Sequence, residues 1–217
     1  LLATGFFDAL NNPGLLLLIA PLVGLGALYW AGRPQPRKLA AALAVALPLL
    51  TPVFAGISPA IRVSQRVDDG DRQARLVEGN GVTLVWAPAG PGWPLAGKNW
   101  FEARQVCQSL GEDGLTTSPT PQDIWRLPRV DEAARSMARH GRNSGGVWDP
   151  ESAQTAYETT PDKESPLWNT HSQVIYWWTA SEVDEETAYI IVYDGRVWPR
   201  SKELSQDYLG FRCVKEP

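Results

Sequence analysis

Two long uncharged runs open the chain and separate it from everything that follows. Residues 13–32 and 39–61 contain no Asp, Glu, Lys or Arg, and each matches the roughly 20 residues with which a helix crosses a hydrocarbon core. A helix in a soluble core is rarely apolar on every face, and a signal peptide would begin with basic residues and end at a small-residue cleavage site. The pattern predicts a two-helix transmembrane hairpin over residues 13–61, preceded by an interfacial segment over residues 1–12.

A short basic loop joins the two uncharged runs. It contains Arg33, Arg37 and Lys38, and short loops rich in Lys and Arg stay on the cytoplasmic side of a membrane. These three residues therefore predict the orientation, with everything after residue 61 outside the cytoplasm. Arg62 and Arg66, beyond the second run, act weakly against that orientation.

The rest of the chain has the pattern of one mixed α+β domain. Residues 62–75 are polar and predict an exposed linker, and residues 76–217 have a length that suits a single domain with one core. The pattern predicts helices from Asn99 to about Gly111 and over residues 130–140, and strands over residues 81–86, 174–179, 187–193, 196–200 and 208–215.

Local signals support the first helix and one hairpin. Asn99 followed by Glu102 forms an approximate capping box, and Asp194–Gly195 is a favoured two-residue turn between antiparallel strands. Residues 141–172 show no regular pattern, and an irregular region of that length is usually functional or an insertion.

Five fragments in the domain resemble a known family when they are taken in order. The fragments are Trp100–Ala103, Cys107–Gly111, Trp125–Pro128, Tyr176–Glu182 and Gly210–Val214. In this order they resemble the bacterial DUF1566 (Lcl C-terminal) domains and, more distantly, the formylglycine-generating-enzyme group and the wider C-type-lectin-like fold. The resemblance covers residues 82–215. It implies an α+β C-type-lectin-like domain, but not a function, because this fold hosts lectins, adhesins, assembly subunits and a few enzymes.

The resemblance also implies a disulfide between Cys107 and Cys213, since related domains tie the first helix to the last strand in this way. Two buried free thiols are the alternative. An extracytoplasmic location would permit the bond, and closing a loop of about 100 residues gives roughly 4–5 kcal/mol in the loop-entropy model, less any native strain.

The residues give little support for catalysis or a bound metal. The formylglycine-generating relatives bind copper through a pair of cysteines near the C-terminus, and this chain has only Cys213 there. The two histidines and two cysteines lack metal-ligand spacing. Calcium-binding lectins use two short motifs whose nearest counterparts here, Thr160–Asp162 and Trp168–Thr170, each lack a ligand. No enzyme, catalytic residue or cofactor is expected, with calcium as the alternative.

Four tryptophans in predicted loops or turn edges are the candidate contacts for a partner or a glycan. They are Trp93, Trp148, Trp168 and Trp198, and exposed aromatic side chains of this kind mark binding surfaces. The alternative is that they cover a small core of the long loop. Nucleic-acid binding is not expected, since the net charge is −4 and no basic patch contains aromatic residues.

The predicted function combines the hairpin with the domain. The chain is expected to be a non-catalytic, membrane-anchored accessory or assembly subunit of a larger bacterial complex, with integral membrane proteins and the lipid bilayer as partners. Its predicted location is the bacterial inner membrane, with the domain in the periplasm or outside the cell. A periplasmic or surface receptor for a glycan or protein is the first alternative, and an enzyme of the formylglycine-generating type is the second.

Overall fold

A computed structural model describes residues 61–217 of the chain. Within this part, Arg66–Pro217 belong to one compact unit. The predictions for residues 1–12, for nearly all of the hairpin over residues 13–61, and for Arg33, Arg37 and Lys38 fall outside the described residues.

The compact unit contains short helices and many short strands. They are α1 (Trp100–Ser109), α2 (Val130–Ser136), β1 (Arg75–Gly79), β2 (Val82–Trp86), β3 (Ala138–Arg139), β4 (Arg142–Asn143), β5 (Val147–Asp149), β6 (Gln154–Ala156), β7 (Tyr176–Glu182), β8 (Thr187–Val192), β9 (Val197–Ser201), β10 (Leu209–Gly210) and β11 (Val214–Lys215). One sheet has the order β1-β2-β11 and another the order β10-β7-β8-β9, while β3-β4 and β5-β6 form two small hairpins.

The described residues correct the predicted fold class and location. Strands predominate over helices, and between residues 61 and 217 no helix is long and apolar enough to cross a membrane. The ten residues of α1 rise only about 15 Å, half of a hydrocarbon core. Among residues 61–217, the predicted transmembrane helices, and with them the membrane anchor and inner-membrane location drawn from the hairpin, are therefore not found.

The second helix is shorter than its pattern predicts. It ends at Ser136 rather than near residue 140, because the chain turns back at once to pair β3 with β4. His140 and Gly141 at the turn both have positive φ, at 51° and 72°, which a helix cannot continue through.

The last predicted strand is divided between the two larger sheets. β10 runs parallel to β7, whereas β11 pairs antiparallel with β2. The two sheets are thereby joined through the residues between Gly210 and Val214, so the end of the chain closes the domain.

Strand β7 separates two hydrophobic clusters. Its consecutive residues Trp177 and Trp178 point to opposite faces of the sheet and belong to different clusters. Ile191 and Ile190 on β8 divide in the same way. Both faces of this sheet are therefore partly covered, and a side chain on it reaches solvent only near an edge.

The compact unit also includes residues that the sequence assigned to a linker. Val67 and Asp69 bond to the long loop near residue 165: Ser165 N–H donates to Val67 O over 2.8 Å, and Ser165 Oγ donates to Asp69 Oδ1 over 3.0 Å. Arg66 pairs with Asp162 at 2.8 Å. Residues 66–75 therefore lie against the domain and form part of its structure.

Candidate functional site

Two of the four candidate tryptophans are core residues. Trp168 is 2% exposed and stacks on Trp177, with ring centroids 3.9 Å apart and planes 18° from parallel. Trp93 is 5% exposed and lies beneath the Arg212 guanidinium, whose carbon is 3.7 Å from the ring centroid. Neither ring is available to a partner in this conformation.

Arg212, which packs on the Trp93 ring, is fully buried and links distant segments of the chain through hydrogen bonds. Arg212 donates to the carbonyl oxygens of Ala87, Pro166 and Leu167, each at 2.8 Å. These bonds join the end of β2 to the long loop. Burial lowers the pKa of the guanidinium well below its usual value, and the carbonyls and the Trp93 ring provide its compensation.

Trp148 is half-buried and packs inward from β5. Its ring meets the Tyr189 ring edge-on at 5.3 Å, and it lies against the cluster that contains Trp168 and Trp177. Its contacts resemble those of a core residue at the margin of the domain.

Trp198 differs from the other three because it is half-buried among basic and aromatic side chains near a sheet edge. The Arg196 and Arg200 guanidinium carbons lie 4.9 Å and 5.3 Å from its ring centroid. Tyr176 on β7 is 6.3 Å away, and Tyr208 meets Tyr176 edge-on at 5.5 Å. We call these five residues the Trp198 surface.

The backbone of β9 explains why three of these side chains gather. Successive residues of an extended chain alternate between faces, so Trp198 and Arg200 project from the same side as Arg196, which immediately precedes β9. Trp198 pairs across the ladder with Ile190, and its ring packs against the cluster that Ile190 belongs to. The body of the indole is thus held in place while the guanidinium groups remain at the surface.

The two arginines of the Trp198 surface differ in their charge balance. Arg196 forms an ion pair with Asp194 at 2.7 Å, and this carboxylate raises the pKa of the guanidinium. Arg200 donates to Pro199 O at 3.0 Å and has no ion pair with a carboxylate among residues 61–217. The Trp198 surface therefore carries one positive charge that the described part of the chain does not neutralise.

The outer edge of β9 is poorly suited to accept another strand. β9 is the last strand in the order β10-β7-β8-β9, and Pro199 lies in its middle. A proline has no N–H to donate to a neighbouring strand. A partner at this edge must therefore bind mainly through side chains.

The long loop, which the sequence marked as a functional candidate, contains one run that turns its charged residues inward. Asp162, Lys163, Glu164 and Ser165 are all buried. Glu164 accepts the backbone N–H groups of Val67 at 2.9 Å and His140 at 2.6 Å. This run supplies the caps and ion pairs that fix neighbouring backbone.

Burial also affects the lysine in this run. Desolvation lowers the pKa of Lys163 to about 8, and the nearby Arg66 charge adds to this effect. The ammonium donates to Ser172 O, which ties this run to the end of the long loop.

The two fragments nearest to calcium motifs already have partners for their oxygens. Asp162 binds Arg66 at 2.8 Å, and Asn169 Oδ1 accepts from Arg72 at 3.3 Å and from His171 N at 3.0 Å. Within the described range, residues 61–217, no group of three or more His, Cys, Asp or Glu residues could hold a metal ion.

The structure contains the disulfide that the resemblance implied. Cys107 on α1 and Cys213, just before β11, are bonded, and both are fully buried in the cluster with Trp178. The bond anchors α1 to the end of the chain.

Within residues 61–217, the two histidines contact an arginine and an aspartate, and not a side chain that could act as a nucleophile. His140 Nε2 accepts from Arg139 Nε at 3.2 Å, while His171 is largely exposed with its Nε2 3.3 Å from Asp68. Neither imidazole bonds to a Ser, Thr or Cys side chain in the part of the chain that the structure describes.

Sequence reasoning selected Trp198 but missed the four residues around it. Arg196 and Arg200 could have been found, because the spacing Arg-x-Trp-x-Arg in a predicted strand places all three side chains on one face. Tyr176 and Tyr208 come from distant positions, and only the pairing of β7 with β10 brings them together.

No family model matches the chain, and no curated protein matches it significantly. The resemblance to DUF1566 domains therefore rests on its sequence fragments.

Proposed function

We propose that the domain is a non-catalytic protein-binding module, acting as an accessory or assembly subunit of a larger complex, and that it binds an acidic partner through the Trp198 surface. The observation that carries this proposal is the half-exposed Trp198 ring between the guanidinium groups of Arg196 and Arg200.

The residue types of this surface favour a protein partner. Trp, Tyr and Arg are enriched among the few interface residues that supply most of the binding energy between proteins. Here such residues are held by the sheet and by one another, so ordering them on binding costs little conformational entropy. The positive charge of Arg200, which has no ion pair among the described residues, favours a carboxylate on the partner.

The same contacts disfavour the glycan alternative. A sugar ring that stacks on tryptophan needs an open aromatic face, and the two guanidinium groups lie over the Trp198 ring at about 5 Å. Trp93 and Trp168 are buried, and Trp148 packs against Tyr189. Two of the four candidate rings are therefore buried, and the other two already carry guanidinium or aromatic contacts.

The test compares full-length variants that change either the Trp198 surface or the other half-buried tryptophan, Trp148. Trp198→Ala and Arg200→Glu alter the proposed surface, whereas Trp148→Ala removes a similar ring from a different part of the domain. Each tagged variant is purified gently from its source, and co-purifying proteins are quantified by mass spectrometry after circular dichroism has confirmed folding.

We expect a stoichiometric partner with wild type and Trp148→Ala. Trp198→Ala should reduce its recovery at least about tenfold, the effect of losing one interface hot spot. Arg200→Glu should reduce recovery by a similar factor. This reduction should become smaller as the salt concentration rises, because salt screens the reversed charge. Equal recovery by all variants would refute the surface, and a glycan-array signal that depends on Trp148 would favour the receptor alternative.

A further inference from the structure

A second feature of the domain is a small open cleft between α1 and the end of β7. Its volume is about 250 Å³, and it is lined on the helix side by Trp100, Arg104 and Gln108 and on the other by Arg126, Ala180 and Glu182. The three helix residues are spaced by four, which places them in one stripe along α1.

Most charged groups of the cleft are already neutralised within the fold. Arg126 forms two hydrogen bonds with the Glu132 carboxylate, at 2.7 and 2.8 Å. Glu182 is paired with Lys202, and the other Lys202 donors are directed to backbone carbonyls. These groups form the walls of the cleft but contribute little net charge.

Arg104 is the exception. Its guanidinium carbon lies 5.3 Å from the Trp100 ring centroid, and it makes no ion pair among residues 61–217. The Trp100 ring is fixed from below, because its Nε1 donates to Thr179 O at 2.8 Å. The guanidinium is thus supported on an immobile aromatic ring with its donors available to a ligand.

We propose that this cleft is a binding site for a carboxylate carried on a short carbon chain, with Arg104 as the group that binds it. A planar guanidinium matches a carboxylate in shape and forms charge-assisted hydrogen bonds with it. One unneutralised positive charge beside Glu182 suits a monoanion better than a dianion. Ala180 provides an apolar contact for the carbon chain, and Gln108 provides an amide for a further hydrogen bond, while the buried Trp100 ring supports Arg104 from below.

The size of the cleft limits the ligand to a fragment. Pockets for complete small-molecule ligands usually measure about 300–1,000 Å³, so this one fits a small carboxylic acid or a single acidic side chain of another protein. Both sources present the same chemistry to Arg104, and an experiment can separate them.

The experiment titrates the full-length protein with propionate and, separately, with a short peptide that contains one glutamate. Nuclear magnetic resonance follows the Trp100 indole N–H and the Arg104 Nε–H. Propionamide and the matching glutamine peptide are the uncharged controls. Saturable shifts with propionate alone indicate a free acid as the ligand, and saturable shifts with the peptide alone indicate a side chain.

Variants assign the response to the cleft. Arg104→Gln should weaken the apparent affinity about tenfold or more, since it removes a hydrogen-bonded charge, and Arg104→Lys should restore part of it. Arg142→Gln removes another exposed arginine and should change nothing. An unchanged response in Arg104→Gln, an equal response to the uncharged controls, or no saturable response to either ligand would overturn the proposal.

The carboxylate site does not depend on the Trp198 surface. Trp198→Ala should leave the propionate titration unchanged even if it abolishes recovery of the protein partner. The two proposals can therefore fail separately.

Discussion

The long loop over residues 141–172 and the hairpin of β8 and β9 treat polar and aromatic residues in opposite ways. The loop contains buried Asp162, Lys163 and Glu164 as well as buried Trp168. The hairpin instead holds Arg196 and Arg200 at the surface around a half-exposed tryptophan. The region that the sequence marked for function is mainly structural, and the regular hairpin carries the candidate binding surface.

The difference shows that residue type alone does not determine whether a side chain is buried or exposed. A charged side chain can be buried when it has partners that compensate for lost hydration. Glu164 has two such partners, the N–H groups of Val67 and His140, and Val67 is 97 residues away in sequence. Arg200 has no ion-pair partner among the described residues and remains at the surface.

The sharpest test of this comparison replaces one tryptophan in each region. Trp168→Ala removes a buried, stacked ring and should lower the free energy of unfolding by about 3–5 kcal/mol. Trp198→Ala removes a half-exposed ring and should cost about 1–2 kcal/mol. Urea denaturation of both variants measures the difference, and equal losses would show that the hairpin is as structural as the loop.

A smaller effect is expected from a change of one atom in the long loop. In wild type, each carboxylate oxygen of Glu164 accepts a backbone N–H. In Glu164→Gln one of these oxygens is replaced by an NH₂ group, which cannot accept, so the free energy of unfolding should fall by about 1–3 kcal/mol. Amide hydrogen exchange at Val67 and His140 should become faster. Glu186→Gln, an exposed change near the hairpin, is the control and should stay within about 0.5 kcal/mol of wild type. A Glu164→Gln variant as stable as this control would contradict the proposed role of Glu164.

The smallest effect is a dependence on acid. The Arg72 guanidinium, with smaller contributions from Thr170 and the Gly70 N–H, holds the pKa of Asp68 well below its usual range despite opposing desolvation. A carboxylate with a lowered folded-state pKa adds stability above its unfolded pKa, about 4, and this stability is lost as pH falls through and below that value.

The variant Asp68→Asn isolates this contribution. Wild type should lose about 1 kcal/mol or less from this group between pH 5 and pH 2, since partly exposed pairs are screened by solvent. Thermal unfolding across that range should show a shallower acid-side slope for Asp68→Asn. Parallel curves would indicate that the Arg72 pair does not contribute to folding stability.

Local signals in the sequence predicted the elements that local chemistry determines. The capping box of Asn99 and Glu102 is present, with Glu102 N–H donating to Asn99 Oδ1 at 2.9 Å and Asn99 N–H donating to Glu102 Oε2 at 3.2 Å. The Asp194–Gly195 turn joins β8 and β9 as predicted. In both cases all the interacting groups lie within a few residues of one another.

Predictions from the sequence were wrong where contacts between distant residues determine whether a segment is packed or exposed. Residues 66–75 look like a linker because their composition is polar, yet several of them bond to the long loop about 100 residues later. Trp93 and Trp168 looked exposed because they lie outside regular elements. Their burial depends on Arg212 and Trp177, which a scan of local pattern cannot associate with them.

The bond between Cys107 and Cys213 has a consequence for a damaged copy of this domain. It encloses the chain from α1 to just before β11, with a sequence separation of 106. A protease that cuts once in an exposed turn, such as the one around Glu151, produces two pieces that remain covalently attached. The nicked domain would keep its molecular mass on a non-reducing gel and separate into fragments only after reduction. Proteolytic cleavage would therefore go undetected as long as the disulfide is intact.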